Sequence, residues 1–508
     1  MSFALPLLII VFSLLYYYFT RTFNFWKDKN VKGPKPIPFF GNFIEVALRR
    51  KHVGILYSDL YKQYENEKVV GLFRMTSPTL LVRDLDIVKQ VLIKDFELLP
   101  DRGLYYSKEA LGDNLFHATY DVSKTIRKHV TSIFTARKFR NNFNLFVDRA
   151  DKFMDYIEEK TMKKPEFDVL SIFRKYAVDS IMIATFGLDV KAYDDDNGIC
   201  DFMDAQIQTP TYFIEMELLF PGTLAKWNFS AFPESVRKFC EQIVRTGVSN
   251  IKEDAFNEKN KLIDIIAELR KESKVTKEGE DAWMHITDDM LIGQVFIFYF
   301  AGYGNNSLLT TYALYHLAKN PEVQDRLIAE IDQILEKYNG KMTYDAFKEM
   351  KYLQMVFDET IRMHPLTNSI TRNVAKDIKI EGMDLVLKKD TIVVMSPYSI
   401  QHDEKYYPEP EKFEPERFSP ENVRARHPCA MLSFGAGPRS CLGDNFGLLY
   451  FSSRYAHIQF GICMAKLLSK YRVEVTENTV KSIDYTAMRL LLTPSDRIYL
   501  KLVPRDRQ

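Results

Sequence analysis

Residues 287–319 place the strongest constraint on the fold. Between positions 290 and 301 the chain is apolar on nearly every helical face, with Gln294 as the exception. A helix that is apolar all round cannot lie on a surface and has to be enclosed by other elements. Thr287 is placed to cap it, Asp288 and Asp289 suit the positive end of its dipole, and Asn320 with Pro321 ends it and opens the next helix. Enclosing such a helix takes a large domain, and 508 residues, 46% of them hydrophobic, can supply one. No linker, repeat or low-complexity segment divides the chain after its N-terminus, so the expectation is one large domain, mainly α with a small β region. The helix breaks its own pattern at residues 301–307, AGYGNNS, where two glycines and three small polar residues stand in place of leucines. Such a patch marks either a local distortion beside a ligand or a helix crossing packed through glycine.

The second constraint is the loop at residues 434–443, FGAGPRSCLG. A cysteine becomes a ligand or nucleophile only as thiolate, which needs positive or hydrogen-bond-donating surroundings. Gly435, Gly437 and Gly443 allow sharp turns and close approach to a flat ligand, and a helix opening at Leu442 would offer unpaired N–H groups to an anion. Pro438 stiffens the turn, Arg439 can pair with a carboxylate and Phe434 can shield the sulfur. The plain alternative is that Cys441 is one more buried, inert cysteine. The five cysteines are few and widely spaced with no CxxC, which fits a reducing compartment. A net charge of +1 argues against a generic polyanion binder, so no nucleic-acid partner is expected.

The spacing F-x-x-G-x-R-x-C-x-G is filled at every fixed position, and it resembles the haem loop of the cytochrome P450 family. The resemblance implies that Cys441 is the axial thiolate of haem b, with Phe434, Arg439 and Gly443 as cofactor-binding residues. A thiolate ligand pushes electron density onto haem iron and favours O–O cleavage. Glu359 and Arg362 lie three apart on one helical face, which is unremarkable alone. By resemblance they join Arg417, from FEPERF at 413–418, in a buried ionic brace for the cysteine loop. Arg372, in a strand expected after His364-Pro365, resembles a propionate partner. So does Arg127, in a basic helix expected over residues 122–139, although the family's W-x-x-x-R has Ser123 at the tryptophan position. The central helix would lie over the haem, with Ala301 and Gly302 beside it. Where the family reads A/G-G-x-D/E-T-T/S, Gly304 takes the position of the catalytic acid and Asn305 that of the threonine. Asn305 donates and accepts hydrogen bonds but passes protons less readily than a hydroxyl, and Gly304 offers no carboxylate.

The N-terminus differs in kind. Positions 3–19 carry no charge, and Arg21, Lys27, Lys29 and Lys32 follow. About 20 apolar residues cross a bilayer, so this span is short but feasible, and the basic residues after it place the bulk of the chain in the cytosol. A cleaved secretory signal fits less well, without a basic leader or a small-x-small site. The expected organisation is a membrane anchor at 1–20, a basic hinge at 21–42 containing GPKPIPFFGN, and a single haem-thiolate domain at 43–508. Strands are expected at 69–74 and 79–83 around Ser77-Pro78, a helix at 84–94, helices broken near Pro210, Pro221 and Pro233, and short strands within 472–503. By resemblance, residues 200–233 would roof a substrate pocket and 485–492 would line it. After Asn445-Phe446 the family helix runs on into a segment matched by Ala456-His457-Ile458-Gln459, leaving nine residues over at 447–455. At ~100° per residue these would turn the downstream face by half a turn, so the surplus loops out, breaks the helix, or is a gene-model error that transcript sequencing would reveal.

Resemblance covers nearly the whole chain and is strongest to microsomal animal members, particularly insect detoxification and hormone-metabolising groups. It implies a monooxygenase at the endoplasmic reticulum that inserts one atom of dioxygen into a small apolar substrate. NADPH-cytochrome P450 reductase would supply electrons, with cytochrome b5 as a further donor. Gly304 and Asn305 motivate two alternatives: a haem-thiolate isomerase or dehydratase that needs no oxygen activation, and a haem-binding protein with little catalysis.

Overall fold

The computed structural model describes residues 4–104, 111–194, 198–208, 212–220, 222–227, 229–251, 261–272, 274–276, 283–442 and 454–505. It is mainly helical. The central helix, Asp288–Lys319, runs without interruption through the glycine and asparagine patch, and the Thr287 hydroxyl accepts from Met290 N at 3.2 Å as its cap. The patch is therefore a helix crossing and not a distortion. A Cβ on Gly302 would stand 2.4 Å from Ile181 Cδ1, on the helix Val169–Ile181, so a side chain there would have to displace the end of Ile181 at the crossing.

The main sheet has strands β1 (Val69–Arg74), β2 (Ser77–Val82), β3 (Ile370–Asn373) and β4 (Ile392–Met395) in the order β1-β2-β4-β3. β1 and β2 are antiparallel with Val69 opposite Val82, β2 and β4 parallel from Thr79 opposite Ile392, and β3 and β4 antiparallel with Arg372 opposite Val393. Pro78 is tolerated inside β2 because the pairing with β4 begins one residue later, so its missing N–H costs no bond on that side. The turn falls at Met75-Thr76, not at Ser77-Pro78, with Met75 at φ 51°.

One further expectation is corrected. The basic helix expected at 122–139 is Tyr120–Val130 and a 3-10 turn, after which Thr135 adopts an extended conformation and caps a separate helix, Ala136–Lys163. The segment expected to be a hinge docks on the sheet: Trp26 is buried, donates from Nε1 to Leu72 O at 2.8 Å, and fits over Gly71, where a Cβ would meet its indole at 2.4 Å. The N-terminal helix Ala4–Thr20 has no buried residue. At 17 residues it is about 26 Å long, and among the described residues no helix is long and apolar enough to cross a membrane.

Candidate functional site: a cysteine loop facing the central helix

The cysteine loop is held by its own backbone. Cys441 N donates to Phe434 O at 2.8 Å, Gly435 N to Leu432 O at 2.8 Å and Ser440 N to Gly437 O at 2.9 Å. Gly435 and Gly437 both sit at φ 75°, and a Cβ on Gly437 would lie 1.8 Å from Leu92 O, so that position admits no side chain. Cys441 is exposed, whereas Cys240 and Cys463 are buried with their thiols pushed up by burial, and burial also raises Cys200 and Cys429 to about 11. Among the described residues there is no disulfide. Gly443 and the surplus segment up to residue 453 lie outside the described residues.

Beneath the loop stands the expected brace. On the helix Lys351–Met363, Arg362 donates from Nε to Glu359 Oε2 at 2.7 Å and from Nη2 to Oε1 at 2.9 Å, both residues fully buried. Arg417 Nε approaches Glu359 Oε1 at 3.5 Å, and Glu414 N donates to the same oxygen at 2.9 Å. Burial pushes the Glu359 carboxyl up, while the bonds from Arg362 pull it down. Arg362 also donates from Nη1 to Gln401 O at 2.8 Å and from Nη2 to Pro410 O at 2.7 Å, so each of its nitrogens is engaged. Sequence reasoning missed the link from brace to loop. Gln401, fully buried, donates to Arg362 O at 2.9 Å and accepts from Leu432 N at 2.9 Å and Ser433 Oγ at 3.0 Å, at the entrance of the cysteine loop. A single glutamine outside any motif gave no signal.

Between loop and central helix lies a cavity of about 330 Å³. Ile297, Phe298, Ala301, Gly302, Asn305, Asn306 and Leu309 form one wall, spaced as one face of a helix, and residues 432–435 and 438–442 form another. Four arginines converge on it: Arg102, Arg127, Arg372 and Arg439. Arg127 donates to Ser440 O at 2.8 Å, Arg102 to Arg439 O at 2.9 Å, and Arg439 to Ala118 O at 2.9 Å. Asp101, 3.4 Å from Arg439, is the one carboxylate paired with them among the described residues. Burial and the charge of Arg439 push Arg372 down to about 9, and burial with its three neighbours drives Arg102 well below its ordinary value. The Nε atoms of Arg102 and Arg372 are buried without a partner. Crowded cations with unspent donors fit a ligand bearing carboxylates, and a glycine-turned cysteine loop facing an apolar wall fits the flat body of such a ligand. The site thus fits haem. Arg102 carries no motif and was not among the expected residues.

On the central-helix wall the expectations divide. Asn305 lines the cavity, but Gly304 does not, because it lies off the helix stripe that faces it, and Asn306 is the second polar residue there. None of the described lining residues is Asp or Glu. Asn306 is hydrogen-bonded to Gln459 of the C-terminal helix Arg454–Lys470, and Ala456 lines the cavity, so that helix presents the expected face despite the surplus upstream. Ser123 turns its hydroxyl onto Tyr120 O at 3.0 Å and leaves the tryptophan position unfilled. The roof expected from residues 200–233 and the turn expected from 485–492 supply none of the described lining residues. Tyr485 instead hydrogen-bonds His364 Nδ1 at 2.6 Å.

The architecture and this site define a haem-thiolate enzyme class, and the comparison with family models agrees: the chain belongs to the cytochrome P450 family, whose model matches residues 31–502. It is 42% identical to cytochrome P450 6B2 of Helicoverpa armigera over 98% of this chain and 97% of that protein. It is also 42% identical to cytochrome P450 6B1 of Papilio polyxenes, over 99% of this chain and the whole of that protein. Identity to cytochrome P450 6a2 of Drosophila melanogaster is 31%, over 98% of each. The chain is a cytochrome P450 enzyme of the kind represented by these insect 6B members.

Proposed function

We propose that the chain is a monooxygenase acting on a small apolar substrate, with Cys441 as axial ligand of haem b and electrons from NADPH through a reductase, cytochrome b5 being a further donor. Four arginines, two of them (Arg102 and Arg372) with a buried Nε left unpartnered, gathered around a cavity that a thiol and an apolar helix face also line, carry this reading. Bound haem supplies the activation of dioxygen and its insertion into substrate. Arg102, Arg127, Arg372 and Arg439 neutralise and orient its carboxylates. Phe434, stacked parallel to Phe357 with ring centroids 6.4 Å apart, keeps water from the sulfur side. Glu359, Arg362 and Arg417 hold the loop through Gln401. Ile297, Phe298, Ala301 and Leu309 give an apolar molecule a dry wall, and Asn305 offers it a hydrogen bond. The apolar helix Ala4–Thr20, with no buried residue, attaches the enzyme to the endoplasmic reticulum membrane, with residues 43–508 as the catalytic domain on the cytosolic side and 21–42 as the segment that joins them.

A second reading, a haem-thiolate isomerase or dehydratase, is favoured by the lack of any carboxylate among the described lining residues. Reconstitution with reductase separates the two. Oxygenated product formed in step with NADPH consumption supports the monooxygenase, and product formed without NADPH or dioxygen supports the alternative.

A further inference from the structure

Gln294 is the one polar residue in the apolar run of the central helix, and it is almost wholly buried. An amide buried among apolar side chains is unfavourable unless its bonds are made, so its presence calls for a partner that an aliphatic residue could not serve. That partner is a loop. Gln294 Nε2 donates to Asp113 O at 3.0 Å as well as to Met290 O at 2.9 Å, and Oε1 accepts from Leu115 N at 3.0 Å. One side chain thus grips the backbone on both sides of Asn114. Asn114 is itself fully buried and folds the same loop inward, its Oδ1 accepting from Phe116 N at 2.9 Å and His117 N at 3.0 Å.

The grip lies where it matters for the cavity. Gln294 stands three, four and seven residues before Ile297, Phe298 and Ala301, so it continues the cavity-facing stripe one turn towards the helix start. Leu115 and Phe116 line the cavity opposite. The Arg102 guanidinium lies 4.1 Å from the centre of the Phe116 ring, and Arg439 Nη1 reaches Leu115 O at 3.4 Å.

We infer that Gln294 is a positioning residue that fixes Leu115 and Phe116 as the selective wall of the cavity, and that it sets which sizes of apolar ligand the enzyme admits. The inference rests on the cavity being the haem and substrate site. Azoles that ligate haem iron test it, because their binding is read from the Soret shift without turnover: imidazole, 4-phenylimidazole and clotrimazole, on the holoenzyme and on Gln294→Leu and Gln294→Glu. The leucine loses every loop bond; the glutamate keeps the acceptor for Leu115 N and loses the donor to Asp113 O. Gln294→Leu is expected to change the ratio of clotrimazole to 4-phenylimidazole affinity by about fivefold or more, the worth of one net hydrogen bond, with imidazole affinity unchanged. Gln294→Glu should change it by less, and in the same direction. Unchanged ratios in the glutamate variant, or equal changes for all three azoles, would overturn the inference, and should the leucine variant fail to fold the glutamate variant decides alone. Failure of imidazole to shift the wild-type Soret band would instead overturn the reading of the site.

Discussion

The two walls of the cavity are built on opposite principles. On the cysteine side the brace is densely bonded: Arg362 donates to Glu359 and three carbonyls, Gln401 joins brace to loop, and Gly437 stands where a side chain would collide. On the central-helix side the polar residues are few, and where the resemblance would place an acid and a hydroxyl this chain carries Gly304 and Asn305. Fixing a ligand tolerates little variation because buried charges left alone are costly. Proton supply tolerates more, since amides or water can stand in for a side chain. The cysteine wall is thus the more densely bonded of the two, and the central-helix wall the more open.

The contrast breaks first at the brace. Glu359→Ala leaves Arg362 buried without its carboxylate and is expected to destabilise the domain by about 3–5 kcal/mol, with loss of haem read from the ratio of Soret to protein absorbance; normal haem content in a stable protein would remove the brace from the account. Next come the arginines. Arg102→Leu removes one charged bond to the cofactor, about 1.5–3 kcal/mol or 10- to 100-fold in haem retention, measured by transfer to apomyoglobin. The same variant relieves like-charge crowding, so its haem-free form should melt higher than the haem-free wild type. Equal losses in both forms would make Arg102 a structural residue only.

A pH-dependent effect links the central helix to the brace helix. His316 at the end of the central helix and His364 after the brace helix meet at 2.7 Å, and burial first, then nearby positive charge, pushes His316 down to about 3. The unfolded chain takes up that proton near pH 6.5 and the folded chain only near pH 3. The contribution is therefore present above pH 6.5 and declines as pH falls towards 3, by about 1.4 kcal/mol per unit. A plot of unfolding free energy against pH should flatten by that slope in His316→Phe, and an unchanged slope would contradict the assignment. The smallest change is on the oxygen side: Asn305→Thr restores a hydroxyl to the cavity and should raise oxygenated product per NADPH severalfold while leaving haem retention untouched. Unaltered coupling would mean that Asn305 is not part of proton supply.

Legibility in the sequence followed the same division. The central helix and its Thr287 cap could be read because periodicity and capping report residues close in sequence. The Glu359, Arg362 and Arg417 brace and the arginines at 127 and 372 could be named only through the resemblance, Arg439 also from its own loop as a carboxylate partner, and Arg102 not at all, because what makes it notable is a convergence of charges from four distant segments. Gln401 and Gln294 escaped for a related reason: a glutamine bonding backbone atoms leaves no pattern at its partners. Gln294 did stand out as the exception in an apolar run, and that was the one available signal. Residues 301–307 showed the limit of local pattern, since the same glycines suit a distorted turn and a close crossing, and only Ile181 on the neighbouring helix decided between them.

The most direct test of the central claim, that Cys441 ligates haem iron as thiolate, is the reduced carbon-monoxide difference spectrum of the purified protein beside Cys441→His. The wild type should give the strongly red-shifted Soret band of a thiolate-ligated ferrous carbonyl, and the histidine variant should retain haem but lose that shift. A wild-type spectrum with the unshifted band of nitrogen ligation, or a red-shifted band that survives in Cys441→His, would contradict it.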